Sequence, residues 1–238
     1  MRNLILSALA LISFIAPLSA EVVGFQDSFD GSSLDGSKWT TLSPYSDSVV
    51  SVQDGFLRTI SRGTVVTQSE FSDQISGPIM ISGSFRLANS FSVFEVWLRS
   101  DGILIPGNSN GWVGGIGVGF WSGPNYWSSP GLKIGYSDLT PNIFTDSITF
   151  NPDQVYSFKI TDGGSWISVD VDGVLRATSL TQFSTGGKVA LNGRQNLDGQ
   201  VGQVDVFGLQ IIPEPSSFSL LLIGVAGLAS RRLLKRRS

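Results

Sequence analysis

VYSFKITDGGSWISVDVDGVL, residues 155–175, alternates apolar and polar side chains in three short runs. Asp162-Gly163-Gly164 separates the first run from the second, and Asp172-Gly173 separates the second from the third. Alternation with a period of two is typical of a strand with one buried face, and Asp-Gly is a strong signal for a tight hairpin turn. The stretch therefore predicts three consecutive antiparallel strands.

The same pattern extends over most of the chain. Val50–Ile60 has the form of two strands joined at Asp54-Gly55, and Ile79–Leu87 alternates again. No window keeps the period of an amphipathic helix. We therefore predict an all-β fold, a two-sheet antiparallel jelly-roll sandwich that runs from about Val22 to Ile211.

The run that begins at Val93 divides its side chains between two faces. The apolar residues at alternate positions from Phe94 to Leu98 are expected to face the core. The other face is predicted to be open to solvent. This open face carries Glu95, Trp97 and Arg99.

The N-terminus has the pattern of an export signal. Arg2 supplies a positive charge, Leu4–Ala16 is apolar, and small residues precede a cleavage site after Ala20. We therefore assign residues 1–20 to a signal peptide and residues 21–212 to the exported domain. A domain of this length can form one sizeable core.

The C-terminus, Pro213–Ser238, combines three features. Pro213-Glu214-Pro215 ends the domain, an apolar run predicted to be a short helix covers Phe218–Ala229, and five basic residues follow. A full membrane span needs about 20 apolar residues, and this run has 12, so an ordinary anchor is the weaker alternative. The combination resembles the PEP-CTERM sorting signal of Gram-negative bacteria. That resemblance implies transient residence in the inner membrane, processing by an exosortase, and a final place at the cell surface or outside the cell.

Charge and composition exclude several classes of function. Without Arg2, the five basic residues of the tail and Glu214, the chain has 10 basic and 18 acidic residues, so the exported domain is near −8. A nucleic-acid-binding domain needs a basic face, so we predict no nucleic-acid partner. The absence of Cys and His excludes Ser-His-Asp catalysis and thiolate or imidazole metal sites.

The opening segment of the domain resembles a known superfamily. Gly24–Trp39 spaces Phe25, Phe29, Leu34 and Trp39 between Asp-Gly and Ser turns, and Asp54-Gly55-Phe56-Leu57 follows. Together with the Val-Asp-Gly turn at residues 171–173, this order is similar to the concanavalin A-like lectin/glucanase superfamily, including laminin G-like domains. The resemblance implies a jelly-roll sandwich and a role in carbohydrate recognition or hydrolysis.

Glycoside hydrolysis is one hypothesis. Family 16 glucanases of the superfamily carry Glu-x-Asp-x-x-Glu on one strand, which places two carboxylates on the same side about 5 Å apart. This chain lacks that spacing, and its exported domain has three glutamates, Glu21, Glu70 and Glu95. A Glu70/Glu95 pair on neighbouring strands remains conceivable from the sequence.

Non-catalytic association with extracellular polysaccharide is the hypothesis that the sequence favours. Aromatic rings stack on sugars and polar side chains bind hydroxyl groups. Glycines at alternate positions from Gly115 to Gly119 leave room for something large against that strand. A structural matrix module without a ligand is the remaining alternative. The predicted carbohydrate-binding residues are Glu95, Trp97, Arg99, Trp112, Trp121, Asn125, Tyr126 and Trp127.

The superfamily resemblance also implies one structural calcium ion. Its ligands would be Asp205, the carbonyl of Gly55, and a carbonyl from the segment Phe25–Asp27. Calcium takes six to eight hard oxygen ligands, and backbone carbonyls with one carboxylate and waters are acceptable. Such an ion would connect the first strand of the domain to the last.

Overall fold

The computed structural model describes residues 25–43, 46–60, 62–71, 79–88, 92–106, 112–123, 130–136, 144–181, 186–194 and 202–211. These residues form antiparallel strands in two sheets, without a helix among them. The prediction of an all-β, two-sheet antiparallel jelly roll is confirmed. The predicted signal peptide, the predicted sorting signal and the predicted C-terminal helix lie outside the described residues.

One sheet has eight strands. Seven of them follow the order β13-β12-β11-β6-β15-β4-β3, and β1 pairs with β15 beside them. The strands are β1 Phe25–Asp27, β3 Val49–Gln53, β4 Phe56–Ile60, β6 Ile79–Leu87, β11 Val155–Asp162, β12 Trp166–Val171, β13 Val174–Leu180 and β15 Gly202–Ile211.

The other sheet has seven strands in the order β10-β9-β8-β7-β14-β5-β2. The strands are β2 Trp39–Leu42, β5 Thr64–Thr67, β7 Val93–Ser100, β8 Ile116–Trp121, β9 Gly131–Tyr136, β10 Phe144–Asp146 and β14 Lys188–Arg194. Strand β7 lies in the middle of this sheet, between β8 and β14.

The predicted hairpins are present. Asp54 and Gly55 connect β3 to β4, and Asp172 and Gly173 connect β12 to β13. All four residues have positive φ, between 50° and 74°. Two consecutive positive φ angles are what a tight hairpin turn of the Asn-Gly or Asp-Gly type requires, so local sequence determines both turns.

Aromatic side chains fill the space between the sheets. Phe85 on β6 is central, with its ring 4.4 Å from that of Phe120 and 5.7 Å from that of Phe94. Tyr156 and Phe158 on β11 complete the cluster from the same sheet as Phe85. The apolar face of β7 therefore lies in the core, as the alternation predicted.

Within the described ranges we find no helix long and apolar enough to cross a bilayer.

Candidate functional site

The face of the seven-stranded sheet that points away from the core carries a row of polar residues. The register aligns Thr64 with Asn192, Asn192 with Glu95, Glu95 with Gly119, and Gly119 with Lys133. We call this surface the outer face and these five positions the polar row. The row crosses five neighbouring strands, β5, β14, β7, β8 and β9, at right angles to their direction.

Inside the polar row, the amide Nδ2 of Asn192 donates a hydrogen bond of 2.6 Å to Oγ1 of Thr64. Both residues are buried. Buried side-chain amides and hydroxyls are stable when hydrogen-bonded to one another. This bond fixes the side chain that lies next to Glu95 in the register.

Two glycines of β8 make room for two tryptophan rings on the outer face. A Cβ atom at Gly117 would lie 2.9 Å from Cη2 of Trp97, and one at Gly119 would lie 2.6 Å from Nε1 of Trp121. The sequence predicted that the alternate glycines leave room for something large. The structure shows that the indole rings of Trp97 and Trp121 occupy this room.

Lys133 joins the ring of Trp121 to the polar row. Its ammonium Nζ lies 4.5 Å from the ring centroid of Trp121, within the range of a cation–π interaction. Cγ of Glu95 would lie 3.6 Å from a Cβ atom at Gly119, next to the same ring. One carboxylate, one ammonium and one indole therefore converge above Gly119.

The outer face is not open, and in this respect the prediction from the sequence was wrong. Glu95 is 4% exposed, Trp97 3% and Trp121 6%. Trp112 packs on Trp97 with 5.8 Å between ring centroids, and it belongs to a second apolar cluster with Val66, Val113 and Ala190. Alternation along β7 showed which side chains share a face, but it could not show that residues after the strand fold back over it.

Arg99 does not lie on the outer face with Glu95 and Trp97. The register between β7 and β14 shifts between Lys188 and Ala190, and Arg99 itself has φ of 52°. Such a bulge adds a residue and changes the direction of the side chains that follow. Arg99 instead forms a buried ion pair with Asp162 of the opposite sheet, with Nε 2.7 Å from Oδ2.

Three of the predicted binding residues, Asn125, Tyr126 and Trp127, lie outside the described residues. Of the predicted set, the structure brings Glu95, Trp97, Trp112 and Trp121 together on one face. Sequence reasoning missed Thr64, Asn192 and Lys133 as members of the site. Lys133 interrupts an apolar strand, which was a usable signal, but its alignment with Glu95 depends on the strand register.

Glu70 does not lie in the polar row with Glu95. The backbone N–H of Phe71, the residue after Glu70, donates a hydrogen bond to the carbonyl of Gly187. Gly187 precedes Asn192 by five residues. At about 3.3 Å per residue, this is roughly 15 Å from the polar row along the strand direction. Glu70 is also exposed, whereas Glu95 is buried.

The strand register around β15 bears on the predicted calcium site. One edge of β15 pairs with β4 at residues 202–204 and with β1 at residues 207–209. Residue 205 of β15 lies between these two pairings, after the partner of Leu57 in β4 and before the partner of Asp27 in β1. The calcium site stays a prediction.

The ammonium group of Lys38 lies against the N-terminal segment that would supply the third calcium ligand. Nζ of Lys38 donates to the carbonyl of Gln26 over 2.7 Å, and both carboxylate oxygens of Asp27 accept hydrogen bonds. The carbonyl of Gln26 is therefore engaged, and Phe25 or Asp27 would supply the third ligand. Among the described residues, no group of three or more carboxylates could hold a metal ion.

No protein-family model matches the chain, and no curated protein matches it. Solved structures do. The carbohydrate recognition domain of Emp47p has a TM-score of 0.58 at 11% identity, over 79% of this chain and 94% of that one.

Two further solved structures are similar. The β-glucanase of Bacillus licheniformis has a TM-score of 0.53 at 13% identity, over 80% of this chain and 98% of that one. A seed lectin of Lotus tetragonolobus has a TM-score of 0.54 at 12% identity, over 80% and 98%. At this identity the likeness shows the fold, which is that of concanavalin A-like lectins and glucanases.

Proposed function

We propose that this chain, which has the concanavalin A-like fold, associates non-catalytically with extracellular polysaccharide through its outer face. The observation that carries the proposal is the polar row beside two indole rings, in the centre of a sheet. Carbohydrate sites combine aromatic rings with a few placed hydrogen-bonding groups, and the row supplies a hydroxyl, an amide, a carboxylate and an ammonium.

Among the described residues, no second carboxylate lies next to Glu95 in the strand register, and this supports binding over hydrolysis. Both main mechanisms of glycoside hydrolysis use a pair of carboxyl groups, about 5 Å apart in retaining enzymes and roughly 6.5–9.5 Å apart in inverting ones. In the register, the described neighbours of Glu95 are Asn192 and Gly119. Glu70 lies three residues beyond the end of β5. Glu95 therefore acts as a hydrogen-bond acceptor for sugar hydroxyls in this proposal.

The burial of the outer face has a direct consequence for binding. Among the described residues, Trp112 packs on Trp97, so a sugar that contacts Trp97 must displace the segment that carries Trp112. Binding should therefore increase the hydrogen exchange of that segment while it protects the amides of β8. A structural module without a ligand is the second candidate, and the closed face is the observation that favours it.

The test is to incubate the full chain with a panel of β-glucans and bacterial exopolysaccharides and to measure retention and released reducing ends. We expect retention without cleavage, and loss of retention in Trp121→Ala and Glu95→Gln. Trp166→Ala, on the other sheet and partly exposed, is the matched control and should bind normally. Reducing ends that depend on Glu95 would establish the enzyme instead, and neither retention nor cleavage would leave the structural module.

The proposal includes the route by which the protein reaches the polysaccharide. Residues 1–20 direct export, and an exosortase in the inner membrane cuts the chain near Pro213-Glu214-Pro215. The resemblance of the C-terminal segment to sorting signals supports this part. Mass spectrometry of the extracellular protein should lack peptides from residues 216–238, and their presence would contradict the cleavage.

A calcium ion at Asp205 and Gly55 is the second site that we propose. Its support is the register, in which residue 205 of β15 lies between the pairing with β4, the strand that follows Gly55, and the pairing with β1. A ligand that binds the native state alone raises its stability. Added calcium should therefore raise the melting temperature of the chain, a chelator should lower it, and Asp205→Ala should abolish the difference. If the unmutated chain had the same melting temperature with added calcium and with chelator, the proposed calcium site would be wrong.

A further inference from the structure

The dipeptide Asp-Gly occurs seven times in the chain, and it is a chemically reactive sequence. The backbone nitrogen of the glycine can attack Cγ of the aspartate, because glycine has no Cβ atom that blocks the approach. The attack forms a cyclic succinimide and releases one water molecule. A second water molecule then opens the ring, either back to aspartate or to isoaspartate, in which the main chain runs through the side-chain carbon. The reaction needs no enzyme and no cofactor, so local structure decides which pairs react.

Two of the pairs are protected at the glycine. Gly102 donates its backbone N–H to Oγ of Ser100 over 2.9 Å, and Gly163 donates its own to the carbonyl of Trp166 over 2.9 Å. A nitrogen that is held by a hydrogen bond must give up that bond before it attacks. The pairs that contain these two glycines should therefore react slowly.

Three more pairs are protected at the aspartate, because a nearby serine donates to the carboxylate. The aspartate–serine contacts are Asp30 with Ser28, Asp35 with Ser37, and Asp172 with Ser157. At Asp172 the backbone N–H and the hydroxyl of Ser157 both donate to Oδ1, over 2.8 Å and 3.1 Å. A carboxylate held in this way is not free to turn toward the next N–H in the chain.

Asp54-Gly55, the turn between β3 and β4, lacks both kinds of protection. The side chain of Asp54 is 72% exposed, and its one polar contact among the described residues is an ion pair with Nη2 of Arg58 over 3.5 Å. An exposed pair of this kind constrains a carboxylate only weakly. Within the described ranges, the N–H of Gly55 has no hydrogen-bond acceptor. A Cβ atom at Gly55 would have nothing within 4 Å, so there is room for the ring to form.

We propose that Asp54-Gly55 is a modification site, at which the folded protein converts spontaneously to isoaspartate. This inference does not depend on the proposed function. Isoaspartate adds one carbon atom to the main chain of a two-residue turn whose residues have φ of 54° and 74°. A turn of that type has no place for a longer main chain. The modification should therefore loosen β3, which is the edge strand of the eight-stranded sheet.

The first experiment stores the full chain at neutral pH in water enriched in heavy oxygen and then maps its peptides by mass spectrometry. Each succinimide that opens takes up one heavy oxygen atom, and chromatography separates isoaspartate from aspartate. We expect several-fold more isoaspartate at Asp54 than at Asp172, which is also the first residue of an Asp-Gly turn with positive φ. Equal amounts at the two positions, or isoaspartate confined to Asp198-Gly199, which lies outside the described residues, would overturn the proposal.

The same chain in concentrated urea is the control for the fold. Unfolding removes the hydrogen bonds of the serines and exposes every glycine N–H, so the Asp-Gly pairs should react at similar rates. If Asp54 kept its several-fold preference in urea, the folded structure would not be the cause of that preference, and the proposal would be wrong.

Two variants provide a second readout. Ser28→Ala removes the hydroxyl that donates to Asp30 over 2.5 Å, and it should raise the isoaspartate at Asp30 several-fold. An unchanged amount at Asp30 would count against protection by the carboxylate contact, and so against the proposal. Asp54→Glu, whose longer side chain does not form the five-membered ring, should abolish the modification at this turn. Storage should then lower the melting temperature of the unmutated chain and not that of Asp54→Glu, and an equal decrease in both would contradict the assignment to this turn.

Discussion

The two faces of β7 are almost equally buried, but they are built differently. On the inner face, Phe94 stacks against Phe85 and Phe120 in a cluster of aromatic rings. On the outer face, Glu95 lies between Asn192 and Gly119, and Trp97 packs over Gly117. The difference teaches that burial alone does not distinguish a core from a candidate site. The outer face is distinguished from the core by its polar side chains and by the glycines beneath its rings.

The largest effect should come from the inner face. Phe85→Ala removes a fully buried ring that contacts five other aromatic rings, and such truncations cost about 3–5 kcal/mol. Urea unfolding of the variant measures the loss. Phe56→Ala, at a partly exposed ring, is the control and should cost clearly less. Similar losses at both positions would mean that the ring cluster is not the dominant core.

The next effect concerns the point where β7 stops alternating between the two faces. Asp162→Ala leaves the buried guanidinium of Arg99 without its carboxylate, a loss of about 3 kcal/mol for a buried pair. The double variant Arg99→Met/Asp162→Leu should recover much of this stability. Chemical denaturation of the single and double variants measures the coupling.

The exposed pair Lys159–Asp170 provides the comparison for that experiment. Its atoms lie 3.0 Å apart, with Lys159 48% exposed, and Lys159→Met should cost less than about 1 kcal/mol. A cost at Lys159 equal to that at Asp162 would contradict the view that the inter-sheet pair holds the bulge.

A smaller effect should come from the outer face. Gly119→Ala places a Cβ atom 2.6 Å from Nε1 of Trp121, and overpacking of this kind costs about 1–2 kcal/mol. The indole must move, so the tryptophan fluorescence should change and polysaccharide binding should weaken. Gly36→Ala, which has open space around its Cβ position, is the matched control. Unchanged fluorescence in Gly119→Ala would place the indole elsewhere.

The smallest effect belongs to a carboxyl group in full contact with solvent. The hydroxyl and backbone N–H of Ser37 hold the pKa of Asp35 below its ordinary value of 3.8. A depressed pKa stabilises the fold above the unfolded value, and this contribution is lost as the pH falls through the folded pKa. Ser37→Ala should therefore reduce the melting temperature slightly at neutral pH and not at the acid end. If the difference in melting temperature between Ser37→Ala and the unmutated chain grew toward low pH, the sign of this prediction would be wrong.

Local sequence was sufficient where the physics is local. Asp54-Gly55 and Asp172-Gly173 were predicted as hairpin turns because these residues adopt positive φ readily, and both turns formed. The alternation of Phe94, Val96 and Leu98 correctly assigned them to the core. The glycines at 117 and 119 correctly indicated a close approach, although the approaching groups are indole rings of the chain itself.

The site depended on contacts between residues far apart in the chain. Lys133 and Asn192 meet the row of Glu95 because β9, β8, β7 and β14 pair in one register, and no local pattern encodes that register. Arg99 was assigned to the wrong face because a bulge interrupts the alternation there. The prediction of an open face was wrong because Trp112, which follows β7 in the chain, packs onto Trp97.

By itself, the sequence determined the fold class, the turns, the acidic balance of residues 21–212 and the chemistry that a chain without Cys and His excludes. These properties follow from composition and from side-chain periods of two, which act over a few residues. The tertiary structure decided which strands are neighbours, which glutamate is buried, and which lysine shares its row. Strand pairing and burial are set by the whole sandwich, because each sheet becomes stable only when its apolar face is covered by the other.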